Sequence, residues 1–215
     1  MKPIYLVITL ILGLAMRNNR LLDNQIYKNV FTEEEIKDLY ELIDIQKVES
    51  TTTVPIYAQK VWFDQPPESV VNKIILLANK IYKDPIKLEE ISFARYSKEY
   101  GDMPILTPHF DNVFSTPRFT VDIQVRSNIM WPIVVEDRAF TLKDNEALTF
   151  SGTNQIHWRE HREFKDGDFI EMIFAHFSIE GEEYEKDHSK DMAKRMVSSC
   201  NSFIRKTIED LSSSK

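Results

Sequence analysis

Between Lys87 and Ile179 the chain breaks into short extended runs separated by turn residues, and the last run is the longest. Asp168-Phe169-Ile170-Glu171-Met172-Ile173-Phe174-Ala175-His176-Phe177 is nearly continuous in apolar side chains, as expected of a strand buried in the middle of a sheet packing on both faces. The Asp166-Gly167 pair before it is a tight-turn signal. The pattern predicts strands near 88–96, 105–110, 118–126, 130–136, 139–142, 147–151, 155–159 and 168–179. Many short strands with regular turns argue for a sandwich or barrel.

The flanks read differently. Thr32-Glu33-Glu34-Glu35 is a capping box opening a helix whose apolar residues Ile36, Leu39, Tyr40 and Ile43 follow the 3.6 period. Gln46 to Val54 is polar and reads as a loop, and Ile56 to Phe63 as a strand. Pro66-Pro67 starts a second helix with Val70, Val71, Ile74, Leu77, Ala78 and Ile81 inside. From about Glu185 to Leu211, Met192, Met196, Val197, Cys200, Phe203, Ile204, Ile208 and Leu211 share one face of a helix. That face is expected to pack on the outside of the sheet, with a homodimer contact as the alternative. The division is thus 1–16, an apolar segment; 17–86, N-terminal helical support; 87–180, the β core; and 181–215, a C-terminal helix, with 17–215 forming one domain.

Pro3 to Met16 is uncharged and follows Lys2. At this length it is short for a spanning helix, which needs about 20 residues. It reads as a signal or anchor segment, or as the result of a start that belongs at Met16, and it is left out of the fold. A membrane role is expected only if this segment is an anchor. Without one the expected location is the cytoplasm, and with a genuine leader the protein would be exported or anchored.

Among 215 residues the net charge is −7, with acids and bases interleaved, so the basic face of a nucleic-acid binder is not visible. Cys200 is the one cysteine. An intramolecular disulfide and a cysteine-based zinc site are therefore excluded, and any metal must be held by histidine and carboxylate.

Thr107-Pro108-His109-Phe110-Asp111-Asn112 supplies such a pair. On an extended chain residues i and i+2 point to the same side, so His109 and Asp111 can reach one ion together. His157 ends another expected strand. Two imidazoles and one carboxylate on one side of an octahedral ion make a facial triad, which suits Fe(II) and leaves three positions open. Alone, a His-x-Asp occurs by chance in many proteins, and a histidine beside an apolar strand is more often a satisfied core residue.

Asn24 to Ile179 resembles the Fe(II)/2-oxoglutarate oxygenases related to prolyl 4-hydroxylase. Ile26 to Glu35 looks like the strand and first helix before the core. Phe93-Ala94-Arg95-Tyr96 followed by Pro108-His109-Phe110-Asp111 looks like the tyrosine strand leading into His-x-Asp. Arg118 to Val125 looks like the next core strand. Gly152 through His157-Trp158-Arg159-Glu160, with Gly167-Asp168 and the strand to Phe177, looks like the distal-histidine region of a subgroup with a His-Trp-Arg motif. The resemblance implies a double-stranded β-helix (jelly-roll, cupin-like) core between N-terminal helices and a C-terminal helix. It implies iron on His109, Asp111 and His157, with 2-oxoglutarate and O₂ as co-substrates. The expected reaction is hydroxylation of a C–H bond with release of succinate and CO₂. Halogenating relatives lack the carboxylate ligand, so Asp111 favours hydroxylation.

One departure stands out. Many relatives carry a basic residue about ten positions after the distal histidine to hold the far carboxylate of 2-oxoglutarate; here that stretch is Asp166-Gly167-Asp168-Phe169. Arg159, two residues after His157, is the first choice for this clamp, because an extended chain turns it to the ligand's side and a guanidinium fork matches a carboxylate. Arg162, Lys165, Arg118 and Arg126 are alternatives, and Arg159 could instead pair with Glu160 or Glu163 at the surface. Tyr96 is expected either to donate to the same carboxylate or to pack as a core tyrosine. His161 reads as solvated, His176 as pointing inward or packed, and His188 has no assigned role. The rival reading is a non-oxidative metal-binding enzyme or ligand-binding module of the same fold. The discriminator is a cation deep in the barrel opposite the metal. The substrate, a small molecule or peptide, is not spelled by the flanking loops Lys98 to Leu106 and Asn112 to Pro117.

Overall fold

A computed structural model describes residues 24–46, 51–54, 57–62, 66–82, 85–101, 104–111, 119–179 and 189–213. The apolar segment 1–16, Asp102, the loop 112–117, Arg118 and His188 lie outside these residues.

The chain runs β1 (Gln25–Lys28), α1 (Glu33–Gln46), β2 (Thr51–Val54), β3 (Gln59–Trp62), α2 (Glu68–Ile81), β4 (Ile86–Ser97), β5 (Leu106–His109), β6 (Phe119–Ser127), β7 (Ile133–Val135), β8 (Arg138–Phe140), β9 (Glu146–Phe150), β10 (His157–Arg159), β11 (Phe169–Ile179) and α3 (Ser189–Ser213). The strands form a seven-stranded sheet in the order β1-β9-β6-β11-β4-β3-β2 and a four-stranded sheet in the order β5-β10-β7-β8. Every strand pairing among the described residues is antiparallel, as in a jelly roll. The apolar strand β11 sits at the middle of the large sheet, paired along its length with β4 on one side and with β6 on the other.

The capping box forms as the sequence implies. Thr32 N donates to Glu35 Oε2 at 2.7 Å, and Glu35 N donates to Thr32 Oγ1 at 3.2 Å. The helix it opens, α1, packs with α2 on one face of the large sheet over Phe119, Val121, Ile123, Ile173, Ala175 and Phe177. The other face, with Tyr96, Leu148, Phe150, Ile170 and Met172, closes on Trp131, Ile133 and Val135 from the small sheet and its approach. This second layer is the barrel interior.

Two expectations need correction. Gln46 to Val54 is not all loop: Thr51–Val54 is a strand on the edge of the large sheet, paired with β3. Its threonines are polar, but they are β-branched, and an edge strand accepts polar side chains on a pleated surface. The tail helix α3 does lie on the outside of the small sheet, through Met196 and Phe203 against Phe110, Val134, Ile156 and Trp158. Its apolar residues are nevertheless split, because Val197, Ile204, Ile208 and Leu211 are exposed. No helix among the described residues is long and apolar enough to cross a membrane.

Candidate metal centre

His109 and His157 are Cα partners across β5 and β10, which sets their rings 4.2 Å apart between centroids. Asp111 follows the end of β5. Its N–H donates to Gly152 O at 2.8 Å, and its Oδ1 lies 3.6 Å from His109 Nε2 and 3.3 Å from His157 Nε2. One ligand atom from each of the three falls within 4.8 Å of the others. Donors at right angles on an octahedral ion with bonds of about 2.1 Å are about 3 Å apart, so a small inward adjustment would complete a facial set.

Backbone carbonyls orient both rings. His109 Nδ1 lies 2.8 Å from Thr107 O, and His157 Nδ1 lies 3.1 Å from Gln155 O. A carbonyl only accepts, so each Nδ1 carries the proton and each Nε2 is left as the ligand atom. On the carboxylate side, Thr120 Oγ1 donates to Asp111 Oδ2 at 2.9 Å. Burial and the neighbouring His157 push His109 down to about 4, which keeps it neutral and ready to ligate. Burial works against an ionised Asp111, but the surrounding histidines, His157 foremost, outweigh it and hold this carboxyl well below the usual carboxylate range. Burial likewise opposes the charged form of His157, yet the Asp111 carboxylate raises it above its ordinary value. The His109 side chain is 37% exposed and that of His157 5%, so the mouth of the site lies on the His109 side.

Gly152 is required by close approach. A Cβ built there would stand 1.9 Å from Asp111 Oδ2 and 2.4 Å from Thr120 Oγ1. The same turn is pinned from outside by α3, where Arg195 Nη2 donates to Asn154 O at 2.8 Å and Nη1 pairs with Glu136 at 2.6 Å. Glu136 also accepts from the N–H of Ile156, the residue before His157.

His176, on β11, faces inward. Its Nδ1 is 3.4 Å from Glu90 Oε2 and its Nε2 is 3.7 Å from Asp111 Oδ2. The sequence left His176 open between pointing inward and being packed, and the inward placement is the one found, while Thr120 was not singled out. Both are reached only through the register of β6, β11 and β4, where His176 is the partner of Thr120 and of Glu90.

Arg159 is deep in the interior and 2% exposed. The ladder to β5 shifts register between His157 and Arg159, with Leu106 opposite Arg159, so the extra residue falls on the side that carries Pro108. The Arg159 guanidinium lies over the Trp131 ring at 5.1 Å, its Nη1 donates to Trp131 O, and its Nη2 is 3.8 Å from Met172 Sδ. Its Nε has no hydrogen-bond partner. Burial disfavours its charge, which Tyr96 and Asp122 nearby support. Tyr96 is fully buried against Trp131, and burial pushes its hydroxyl above its ordinary value.

The other cations go elsewhere. Arg162 and Lys165 are exposed. Arg126 lies on the opposite face of the large sheet, 3.3 Å from Glu171, which also pairs with Arg95 at 2.6 Å. The surface pairing considered for Arg159 is not formed; Glu160 pairs with Lys206 at 2.5 Å instead.

No protein-family model matches the sequence, and no curated protein matches it either. Solved structures match over most of the chain. One is the non-heme α-ketoglutarate-dependent epimerase SnoN from nogalamycin biosynthesis, with a TM-score of 0.60 and 14% identity over 78% of this chain and 81% of that one. HygX from Streptomyces hygroscopicus, solved with nickel and 2-oxoglutarate bound, gives a TM-score of 0.54 and 9% identity over 74% and 83%. A prolyl hydroxylase in complex with a hypoxia-inducible-factor peptide fragment from Trichoplax adhaerens gives a TM-score of 0.54 and 11% identity over 74% and 84%. At these identities the likeness is one of architecture: the chain has the jelly-roll fold of the Fe(II)/2-oxoglutarate oxygenases, prolyl hydroxylases among them.

Proposed function

We propose that this protein is an Fe(II)- and 2-oxoglutarate-dependent oxygenase, with iron on His109, Asp111 and His157 and the co-substrate's far carboxylate on Arg159. The observation that carries the reading is the placement of Arg159. It is a buried guanidinium on the strand that ends the metal set, two residues past His157, with Nε still lacking a partner. Asp122 supports this charge without bonding it, so a carboxylate that meets the guanidinium directly is still missing, and a diacid anchored at the metal end would supply one. The rival non-oxidative reading gives this cation no ligand.

The residues fit the groups. Two neutral imidazoles and a carboxylate are the donor set that suits Fe(II) with open positions. When bound, iron and 2-oxoglutarate supply the oxidising chemistry with O₂, yielding succinate, CO₂ and an oxidised substrate. The chain's part is to hold and shield. Thr120 and Gly152 fix the Asp111 carboxylate, the carbonyls of Thr107 and Gln155 fix the two rings, and Arg159 sets the direction of the diacid. Tyr96 lines the same deep end. Hydroxylation of a C–H bond is the reaction we assign, since Asp111 occupies the position that halogenation would need open. The neighbours include an epimerase as well as prolyl hydroxylases, so the product must be identified directly.

The test is succinate release from 2-oxoglutarate across a panel of peptides, free amino acids and small metabolites. The expected result is succinate formed with one class of substrate, dependent on Fe(II) and absent in Asp111→Ala. Metal-dependent conversion of a substrate without 2-oxoglutarate would move the non-oxidative reading ahead.

A further inference from the structure

Strand β6 turns three polar side chains into the barrel. Thr120 is bonded to Asp111, and Gln124 Nε2 donates to Leu142 O at 3.1 Å and Ser127 Oγ at 2.9 Å. Asp122, between them, is 3% exposed, and its Oδ1 has no hydrogen-bond partner. The register places it opposite Phe174 of β11, one inward step from Met172, the residue that touches Arg159. Asp122 and Arg159 influence one another's charge, but they form no ion pair. A carboxyl and a guanidinium, both buried and both with an orphaned atom, thus line the barrel interior.

On the function proposed above, that space must take a second carboxylate. Arg159 alone can balance one negative charge. With Asp122 ionised, the far carboxylate of 2-oxoglutarate would leave one buried negative charge uncompensated, which a low-dielectric interior resists. Two carboxyls in one small site settle this by sharing a proton. We infer that Asp122 is a co-substrate-binding residue that shares one proton with the far carboxylate of 2-oxoglutarate beside Arg159, so that the co-substrate is captured together with a proton. The inference rests on the proposed function and adds a residue to it.

The groups acting on Asp122 come from every wall. Arg159 and His157 on β10, His176 on β11 and Asp111 at the end of β5 act on its charge through space, and Tyr96 of β4 acts on that of Arg159. Burial is the largest influence and, with Asp111, pushes Asp122 up to about 6 against the lowering effect of His157, Arg159 and His176. Asp122 is ionised at neutral and alkaline pH when the site is without its co-substrate, and iron on His157 and Asp111 would favour that form further, so capture there takes up a proton. Affinity should then fall about tenfold per pH unit across the range in which Asp122 is ionised. Asparagine in its place donates the same hydrogen bond with no proton to gain.

The experiment is calorimetric titration of 2-oxoglutarate into the Fe(II)-loaded protein without oxygen, from about pH 7 to about pH 9, in buffers of different ionisation enthalpy, with iron affinity followed in parallel. Expected for the wild type is uptake of one proton per ligand and a Kd rising about tenfold per unit. Asp122→Asn should be flat with pH and should bind at least about tenfold more tightly than the wild type at the alkaline end. Asp122→Leu should also be flat, but at least about tenfold weaker than Asp122→Asn, having lost the donor. A flat wild-type profile overturns the inference and leaves the proposed function standing. So does a slope that survives in Asp122→Asn, since the proton would then belong to another group such as His176. If 2-oxoglutarate fails to bind the loaded wild type, the proposed function falls and the inference with it.

Discussion

The two faces of strand β6 are both buried, yet they are built from opposite chemistries. Phe119, Val121, Ile123 and Val125 point toward the helices and make an ordinary apolar layer, while Thr120, Asp122 and Gln124 point into the barrel. Alternation of this kind usually marks a strand with one face in water. Here the polar face is the enclosed one, and each of its members is directed at the candidate site or at closing the end beyond it. On β6 itself, the helix-facing side chains serve packing, and the inward ones serve the candidate site. Substitutions on the two faces should therefore fail in different assays.

The sharpest break is on the inner side. Asp111→Ala should abolish Fe(II)-dependent turnover with the fold retained, checked by metal binding alongside circular dichroism; a folded variant that still binds Fe(II) and turns over would reverse the assignment. Gly152→Ala comes next. The added methyl collides with the Asp111 carboxylate and the Thr120 hydroxyl, and since neither can retreat without leaving its place, Fe(II) affinity should fall by about tenfold or more. Arg159→Ala should raise the 2-oxoglutarate requirement at least about tenfold, from the loss of a charge-assisted contact of about 1.5–3 kcal/mol, with iron binding nearly unchanged.

The outer face predicts the reverse pattern. Ile123→Ala, fully buried under α1 and α2, should cost about 2–5 kcal/mol in denaturant unfolding while leaving turnover per folded molecule unaltered. The smallest effect is at the rim. Thr32→Ala removes the cap of α1 and should cost about 1 kcal/mol, with no change at the metal.

How far the sequence reaches depends on the range of the physics involved. Strands β4 to β11 and helices α1 and α2 are legible because each obeys a local period. The metal set is legible because His109 and Asp111 are two apart on an extended segment. Arg159 is legible for the same reason relative to His157, and the register shift beside it does not turn it away from the interior. Strand β2 is not, since Thr-Thr-Thr-Val is polar by composition and its β-branching is a weaker cue. The exposed half of α3 is hidden because helical period shows which residues share a face but not how wide a face the sheet will cover. Thr120, Gly152 and His176 acquire their roles only through long-range register. Asp122 left one faint local trace, a strictly alternating strand in which an acid stands between Val121 and Ile123.

The central claim is that one enclosed site, walled on one side by the polar face of β6, holds both the iron and its diacid partner. Its most direct test is a crystal structure of the protein grown without oxygen with Fe(II) and 2-oxoglutarate. The account predicts one metal ion on His109 Nε2, Asp111 and His157 Nε2, with the diacid running inward so that its far carboxylate meets Arg159 and Asp122. A metal bound through other residues, or a diacid lying outside the barrel with Arg159 still held only by Trp131 and Met172, would contradict it.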